Sequence, residues 1–212
     1  PLIEGKQALY VLDWDKGCLT YVRGLGDMLG YDETDSEINR CIHAFHPEDE
    51  VFVNRIIRGI TLHCAKTNVA GNNEYLNLTY RLRKKNGDYI KVLRQSSAYE
   101  VDDKGRMISN WSMLTDISFI SNSNRVEWDI FANGLSVAEF KKSVFAEFAN
   151  FFTLRELEIL RNIKNRKTNA EIADILNISP HTVSTHRKNI FRKTYCSRVD
   201  ELLSFCHKNG IL

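Results

Sequence analysis

The stretch SPHTVSTHRKNIFRK, from Ser179 to Lys193, decides how the C-terminal part of this chain folds. Serine is a strong helix cap and proline suits the first helical position, so Ser179 and Pro180 predict the start of a helix. Val183 and Ile190 lie seven residues apart and predict its buried stripe. The stretch is rich in basic side chains and contains no acid. The helix therefore either binds a polyanion or presents a basic, solvated face.

The segments before this stretch predict two more helices. Thr153 with Glu156, and Thr168 with Glu171, have the spacing of capping boxes, in which each side chain satisfies a free N–H group at a helix start. Residues 177–178 turn the chain before the basic helix. Two short helices joined by a tight turn, the second of them basic, are typical of a helix-turn-helix.

The charge distribution agrees with a nucleic-acid partner for this end of the chain. Residues 151–212 carry 11 Lys and Arg against 6 Asp and Glu, whereas residues 1–150 carry 18 against 21. An excess of positive charge confined to one end favours polyanion binding there. A last short helix is predicted to start at Ser197 and to end at Gly210, which gives this end four helices.

The segment TLRELEILRNIKNRKTNAEIADILNISPHTVSTHRKNIFRK closely resembles the LuxR-type DNA-binding domain, which would cover residues 151–212. The resemblance implies a four-helix domain that binds double-stranded promoter DNA as a homodimer, with its third helix in the major groove. It also implies base contacts from Ser184, Thr185 and Lys188. The other expected DNA contacts go to the phosphate backbone: Thr182, His186, Arg187, Asn189, Arg192 and Lys193.

Two positions depart from the pattern of that family. Many members have Lys where Ser184 stands, so we expect a weaker or different base readout in this chain. Many have Leu where Thr194 stands, so we expect altered packing at the end of the basic helix.

The N-terminal part is predicted to run from strands to helices and back to strands. ALYVLD (8–13) and CLTYVR (18–23) are β-prone and flank a turn that contains Gly17, so they predict a hairpin. Pro47 and the acids after it predict a helix start. The apolar stripe expected on that helix is Val51, Phe52, Ile56, Ile57 and Ile60.

Residues 75–116 are expected to form a meander of three strands. In EYLNLTYRLRKK, apolar residues alternate with polar ones from Leu76 to Arg83, which predicts one buried face. Asn86-Gly87 and the segment 102–105 are turn signals. The inward register of the second and third strands stays open, because both phases of their alternation mix polar and apolar residues. The sum is about five antiparallel strands.

The motifs FHPEDE, YRLRKKNGDYIKV and TDI, in that order, resemble a PAS sensor domain of bacterial signalling proteins. This resemblance covers residues 8–118 and implies a five-stranded sheet with helices over one face, often enclosing a pocket. The predicted fold class is therefore α+β: a PAS-like domain over 1–118, a connector over 119–150, and the helix-turn-helix domain.

The connector predicts a strand and then a helix. Val126, Trp128 and Ile130 alternate as in a strand. Ser136 and Glu139 have the spacing of a capping box. An apolar helical face is expected to follow, formed by Phe140, Val144 and Phe148.

Cofactors, metals and catalysis are not expected. The group Cys41, His43, His46, Glu48 and Asp49 contains metal-ligand types, but His-Pro-Glu-Asp also fits a plain helix start. His63 and Cys64 lie on the helix that carries haem or flavin ligands in some PAS proteins, yet the flavin-adduct motif NCRF is missing. Phosphate-binding glycine loops, catalytic triads and kinase signatures are also missing from the sequence.

We therefore expect a cytoplasmic bacterial transcriptional regulator, whose PAS-like domain senses a small molecule or a partner protein. The alternative is a protein-interaction adaptor with a non-sensing PAS domain and weak or non-specific DNA binding. The chain begins at Pro1 without a basic-then-apolar leader, so we expect a trimmed N-terminus and no export signal. Five scattered cysteines favour reduced thiols, and no apolar run is long enough to span a membrane.

Overall fold

The computed structural model describes residues 1–32, 38–71, 74–120, 123–131, 136 and 151–212. It divides the chain into two compact units, Pro1–Val137 and Ala138–Leu212. The first combines a sheet with helices and the second is helical in its described part, which confirms the predicted α+β class. No helix of the described residues has the length and apolar character needed to cross a membrane.

One antiparallel sheet dominates the first unit. Its six strands are β1 (Gln7–Asp13), β2 (Cys18–Arg23), β3 (Tyr75–Arg83), β4 (Tyr89–Val101), β5 (Met107–Asp116) and β6 (Glu127–Phe131). Their order across the sheet is β2-β1-β5-β4-β3-β6. Both the predicted hairpin and the predicted meander are confirmed, because β1 pairs with β2 and β4 pairs with both β3 and β5. Gly87, at the turn between β3 and β4, has a φ of 95°, which favours glycine.

The sixth strand comes from the predicted connector. It pairs with β3, and Val126, Trp128 and Ile130 are all buried, so the predicted alternation is confirmed. The first part of the connector thus joins the sheet of the first unit. The expected capping box at Ser136 and the apolar face after it depend on residues 137–150, which lie outside the described residues.

Between β2 and β3 the described residues form three helices: α1 (Leu25–Leu29), α2 (Ile38–Cys41) and α3 (Pro47–Cys64). Helix α3 begins as predicted at Pro47, and Nδ1 of His46 accepts the N–H of Glu48 at 3.2 Å. Asp49 is buried and binds Arg81 of β3, with Oδ1 and Nη2 2.6 Å apart. This ion pair fixes the start of α3 against the sheet.

The predicted apolar stripe of α3 is wrong at one residue. Val51 is 56% exposed, whereas Val53 is fully buried together with Phe52 and Ile56. At about 100° per residue, Val53 lies on the same side of the helix as Phe52 and Ile56, and Val51 falls on the far side. Ile57 and Ile60 are half-buried.

Four helices build the described part of the second unit: α4 (Leu154–Lys164), α5 (Asn169–Leu176), α6 (Pro180–Thr194) and α7 (Val199–Lys208). Both capping boxes are confirmed, at Thr153 with Glu156 and at Thr168 with Glu171. Helix α7 begins at Val199 rather than at Ser197, because the N–H and hydroxyl groups of Ser197 donate to the Glu201 carboxylate ahead of the helix.

One apolar core holds these helices together, and Val183 and Ile190 lie in it as predicted. Thr194, at which altered packing was expected, is buried in the same region. Its hydroxyl donates to the carbonyl oxygen of Ile190 at 3.0 Å. The buried Thr194 hydroxyl therefore has its hydrogen-bond partner within the helix.

Candidate nucleic-acid interface and cavity

Helices α5 and α6 are joined by a tight turn. Asn177 adopts the left-handed conformation there, with φ 50° and ψ 52°. Oγ of Ser179 then accepts the N–H of Thr182 at 3.0 Å and caps α6. Because Val183 and Ile190 are fully buried against the helical core, the opposite side of α6 faces solvent.

The exposed side of α6 brings together the residues expected to contact bases. Ser184, Thr185 and Lys188 are exposed, as is Arg192 one turn further along. At about 100° per residue these four fall within about 100° of arc, which fits one face of a helix in a groove. The flanks are half-buried, and they carry Thr182, His186, Arg187 and Asn189. Burial lowers the pKa of Arg187, whose guanidinium nevertheless keeps its charge.

The two hydroxyl groups on this face have opposite hydrogen-bonding capacity. Nδ2 of Asn169 donates to Oγ of Ser184 at 3.1 Å, so the Ser184 hydroxyl keeps its own hydrogen for an acceptor. The hydroxyl of Thr185 donates to the carbonyl oxygen of His181 at 3.1 Å, so its oxygen is left to accept. Ser184 therefore suits purine N7 or guanine O6, and Thr185 suits the amino group of adenine or cytosine.

Asn169 was not among the predicted site residues. It occupies the first position of α5, directly after the cap Thr168, and its side chain crosses to α6. Its amide keeps a carbonyl oxygen and a second N–H beside the exposed face. The available signal was a polar side chain at the start of the first helix of a helix-turn-helix.

Lys193 lies on the other side of α6. Its ammonium donates to the carbonyl oxygen of Phe151 at 3.2 Å and is ion-paired with Glu156. Its role as a phosphate contact stays a prediction, and the ammonium already has partners within the protein.

A cavity of about 60 Å³ lies in the first unit, between α3 and the sheet. Ile57, Ile60 and Cys64 of α3 form part of its wall, and Ile130 of β6 forms another part. Burial raises the pKa of the Cys64 thiol to about 11 and lowers the pKa of His63. The Cys64 thiol is therefore protonated at neutral pH.

The residues considered as metal ligands have other uses. His46 caps α3, and Asp49 is paired with Arg81. The thiol of Cys41 donates to the carbonyl oxygen of Ile38, and the ring of His43 packs edge-on against Phe45. Within the described ranges, no group of three or more His, Cys, Asp or Glu residues could hold a metal ion.

Residues 150–203 match the model of the family described as bacterial regulatory proteins, luxR family. Two relatives from Escherichia coli K12 match over a similar length. The uncharacterized response regulatory protein YgeK is 44% identical over 62 residues, which are 29% of this chain and 42% of YgeK. The regulatory protein SdiA is 39% identical over 61 residues, which are 29% of this chain and 25% of SdiA. The chain thus spans less than half of each relative.

Solved structures similar to this chain share little sequence with it. One of them is a PAS domain from Colwellia psychrerythraea, with 16% identity and a TM-score of 0.40. The match covers 53% of this chain and 87% of the PAS domain chain. Another is the Vibrio cholerae VqmA dimer, solved in the absence of target DNA, with 13% identity and a TM-score of 0.40. The match covers 96% of this chain and 82% of the VqmA chain.

Proposed function

We propose that this chain, which carries a luxR-family helix-turn-helix domain in residues 150–203 behind a PAS-like sheet domain, is a sequence-specific transcriptional regulator. The observation that carries the proposal is the exposed face of α6. Val183 and Ile190 bury one side of that helix, and the opposite side presents hydroxyl, ammonium and guanidinium groups together. These are the groups that read base edges and neutralise phosphates in the major groove.

The PAS-like unit senses a small molecule or a partner protein and controls dimerisation and DNA binding. The cavity beside α3 supports this role, because it includes Ile130 of the strand from which the chain continues towards the second unit. A bound molecule acts only if it prefers one arrangement of the segment between the units. We propose that this unit works in the cytoplasm without haem or flavin, so the purified protein should be colourless.

In-vitro selection of bound DNA with the full chain tests the proposal. A homodimer should select two half-sites about 10 base pairs apart, related by two-fold symmetry. Lys188→Ala should then reduce the preference for the selected site over unrelated DNA by about tenfold. Lys104→Ala is the matched control, because it removes the same charge from an exposed turn of the first unit.

Binding without sequence preference would contradict the proposal. It would favour the adaptor, in which the helical domain has lost specific readout. A Lys188→Ala protein that keeps the full preference would instead show that bases are read from another surface.

A further inference from the structure

Arg94 of β4 is a buried cation in the wall of the cavity. It is 6% exposed, and its Nε donates to Oγ of Ser96 at 2.8 Å and to Oγ of Ser112 at 3.2 Å. Its Cζ lies 5.8 Å from the centroid of the Tyr10 ring. Among the residues that the structure describes, no carboxylate lies within 4.0 Å of this guanidinium as an ion-pair partner.

A buried arginine without an acid is costly. The guanidinium keeps its proton at any pH at which proteins are folded, so it cannot lower this cost by becoming neutral. Two serine hydroxyls and an aromatic face stabilise the cation, but none of these groups carries a negative charge. An anion in the cavity would supply the missing charge directly beside it.

Two further polar atoms in the wall are buried without a hydrogen-bond partner in the described part of the chain. They are Nε1 of Trp14, which is a donor, and Oδ1 of Asn110, which is an acceptor. The amide nitrogen of Asn110 is already used, since it donates to Oγ of Ser112 at 2.9 Å. The wall thus offers a cation and a donor for an anionic group, and an acceptor for a hydroxyl.

The size of the cavity and the second charged residue in its wall further restrict which molecules can bind. A cavity of about 60 Å³ is smaller than the roughly 150 Å³ cavity that holds a benzene molecule in another protein, so a molecule enclosed in it has only a few non-hydrogen atoms. Glu74 also contributes to the wall and repels an anion. A carboxylate would therefore bind on the Arg94 side.

We propose that this cavity binds a small organic carboxylate that also carries a hydroxyl group, and that Arg94 selects its negative charge. The inference rests on the proposed sensing role of the first unit and gives the chemical class of the molecule sensed.

Isothermal titration of the full chain with three probes tests the inference. Sodium glycolate, sodium acetate and neutral glycolamide are compared at equal ionic strength, which is set with sodium chloride. Glycolate should bind most tightly, acetate more weakly because it cannot donate to Asn110, and glycolamide at least tenfold more weakly than glycolate. Trp14→Phe removes one donor and should weaken glycolate binding severalfold.

Arg94→Gln removes the charge and should weaken glycolate binding at least tenfold. Arg23→Gln is its matched control, since Arg23 is exposed on β2. If circular dichroism shows that Arg94→Gln disturbs the fold, the inference is tested by the Trp14→Phe protein and by the comparison of glycolate with glycolamide. Equal binding of glycolate and glycolamide, full affinity in Arg94→Gln, or no binding of any probe would overturn the inference.

The same proteins separate this inference from the proposed function. If glycolate binds but saturating glycolate leaves DNA affinity unchanged, the cavity binds carboxylates and the sensing role fails. If glycolate does not bind but Lys188→Ala still reduces the DNA preference, the ligand class is wrong and the proposed regulator function stands.

Discussion

Nζ of Lys193, near the end of α6, lies 2.6 Å from Oε2 of Glu156, at the start of α4. The Lys193 side chain is 31% exposed and that of Glu156 only 4%. The same carboxylate accepts the N–H of Thr153 at 2.8 Å, which caps α4. The Glu156 carboxylate therefore caps α4 and also binds α6 through Lys193. Lys193, which was expected to contact phosphate, thus stabilises the packing of these two helices.

Lys193→Ala would leave the Glu156 carboxylate buried without its cation. We expect the free energy of unfolding of the helical unit to fall by about 2 kcal/mol. Arg192→Ala is the control, because that exposed side chain should change stability by less than about 0.5 kcal/mol. Urea unfolding followed by far-UV circular dichroism measures both.

In DNA binding we expect the opposite order: Arg192→Ala should have the larger effect and Lys193→Ala the smaller one. Arg192→Ala should lower the slope of log K against log salt by about 0.9, and Lys193→Ala by less. If Lys193→Ala keeps the wild-type stability but reduces the salt dependence of DNA binding, Lys193 contacts DNA rather than stabilising the helical unit.

Acid should weaken the helical unit through Glu156. Burial raises the pKa of its carboxyl group, but the Lys193 ammonium and the hydrogen bonds of Thr153 outweigh burial, so the pKa lies below 4.5. The unfolded chain then takes up this proton at higher pH than the folded chain. The stabilisation is complete above about pH 4.5 and is lost as pH falls through the folded pKa.

Glu156→Gln tests this linkage. The variant should be less stable than the wild type at pH 7, and should lose less stability between about pH 5 and pH 3. Glu158→Gln, at a more exposed acid of the same helix, serves as control. Parallel acid profiles of wild type and Glu156→Gln would contradict the expectation.

Asn169 should act on DNA through Ser184. If its amide fixes the Ser184 hydroxyl, Asn169→Ala and Ser184→Ala should each weaken the same base preference, by up to about tenfold. In the Ser184→Ala background, Asn169→Ala should add little, since residues that share one contact are not additive. Anisotropy with single-base variants of the selected site measures this cycle, with Asn165→Ala as control. Additive losses at different base pairs would show that Asn169 contacts DNA independently.

The corrected stripe of α3 predicts unequal effects of two valines. Val53→Ala creates a cavity in the core and should lower the free energy of unfolding by about 2 kcal/mol. Val51→Ala removes exposed atoms and should change it by less than about 0.5 kcal/mol. Tryptophan fluorescence in urea reports this unit alone, because Trp14, Trp111 and Trp128 all lie within residues 1–137. Equal losses would mean that the stripe includes Val51.

Local signals in the sequence predicted the helical domain well. A capping box such as Thr153 with Glu156 depends on residues three positions apart, and so does the cap at Ser179. Val183 and Ile190 follow from helix periodicity alone. The bond between Asn169 and Ser184 could not be predicted in this way, because it depends on how two helices pack.

The sheet shows a second limit of sequence patterns. The register of β4 and β5 stayed open because alternation indicates an inward face only when that face is apolar. Here Arg94, Ser96 and Ser112 are buried and bonded to one another on the inward face. Because these buried residues are polar, the alternation of polar and apolar residues does not indicate the inward face at the cavity. The part of the sheet whose register could not be predicted is therefore also the candidate binding site.

Strand β6 has a mechanical consequence for the chain. Ile130 touches the cavity, and the described strand ends one residue later at Phe131, while the strand is anchored to β3 by its hydrogen bonds. We therefore expect a molecule that displaces Ile130 to displace the backbone of the adjacent Phe131 as well, because the two residues are neighbours in one strand.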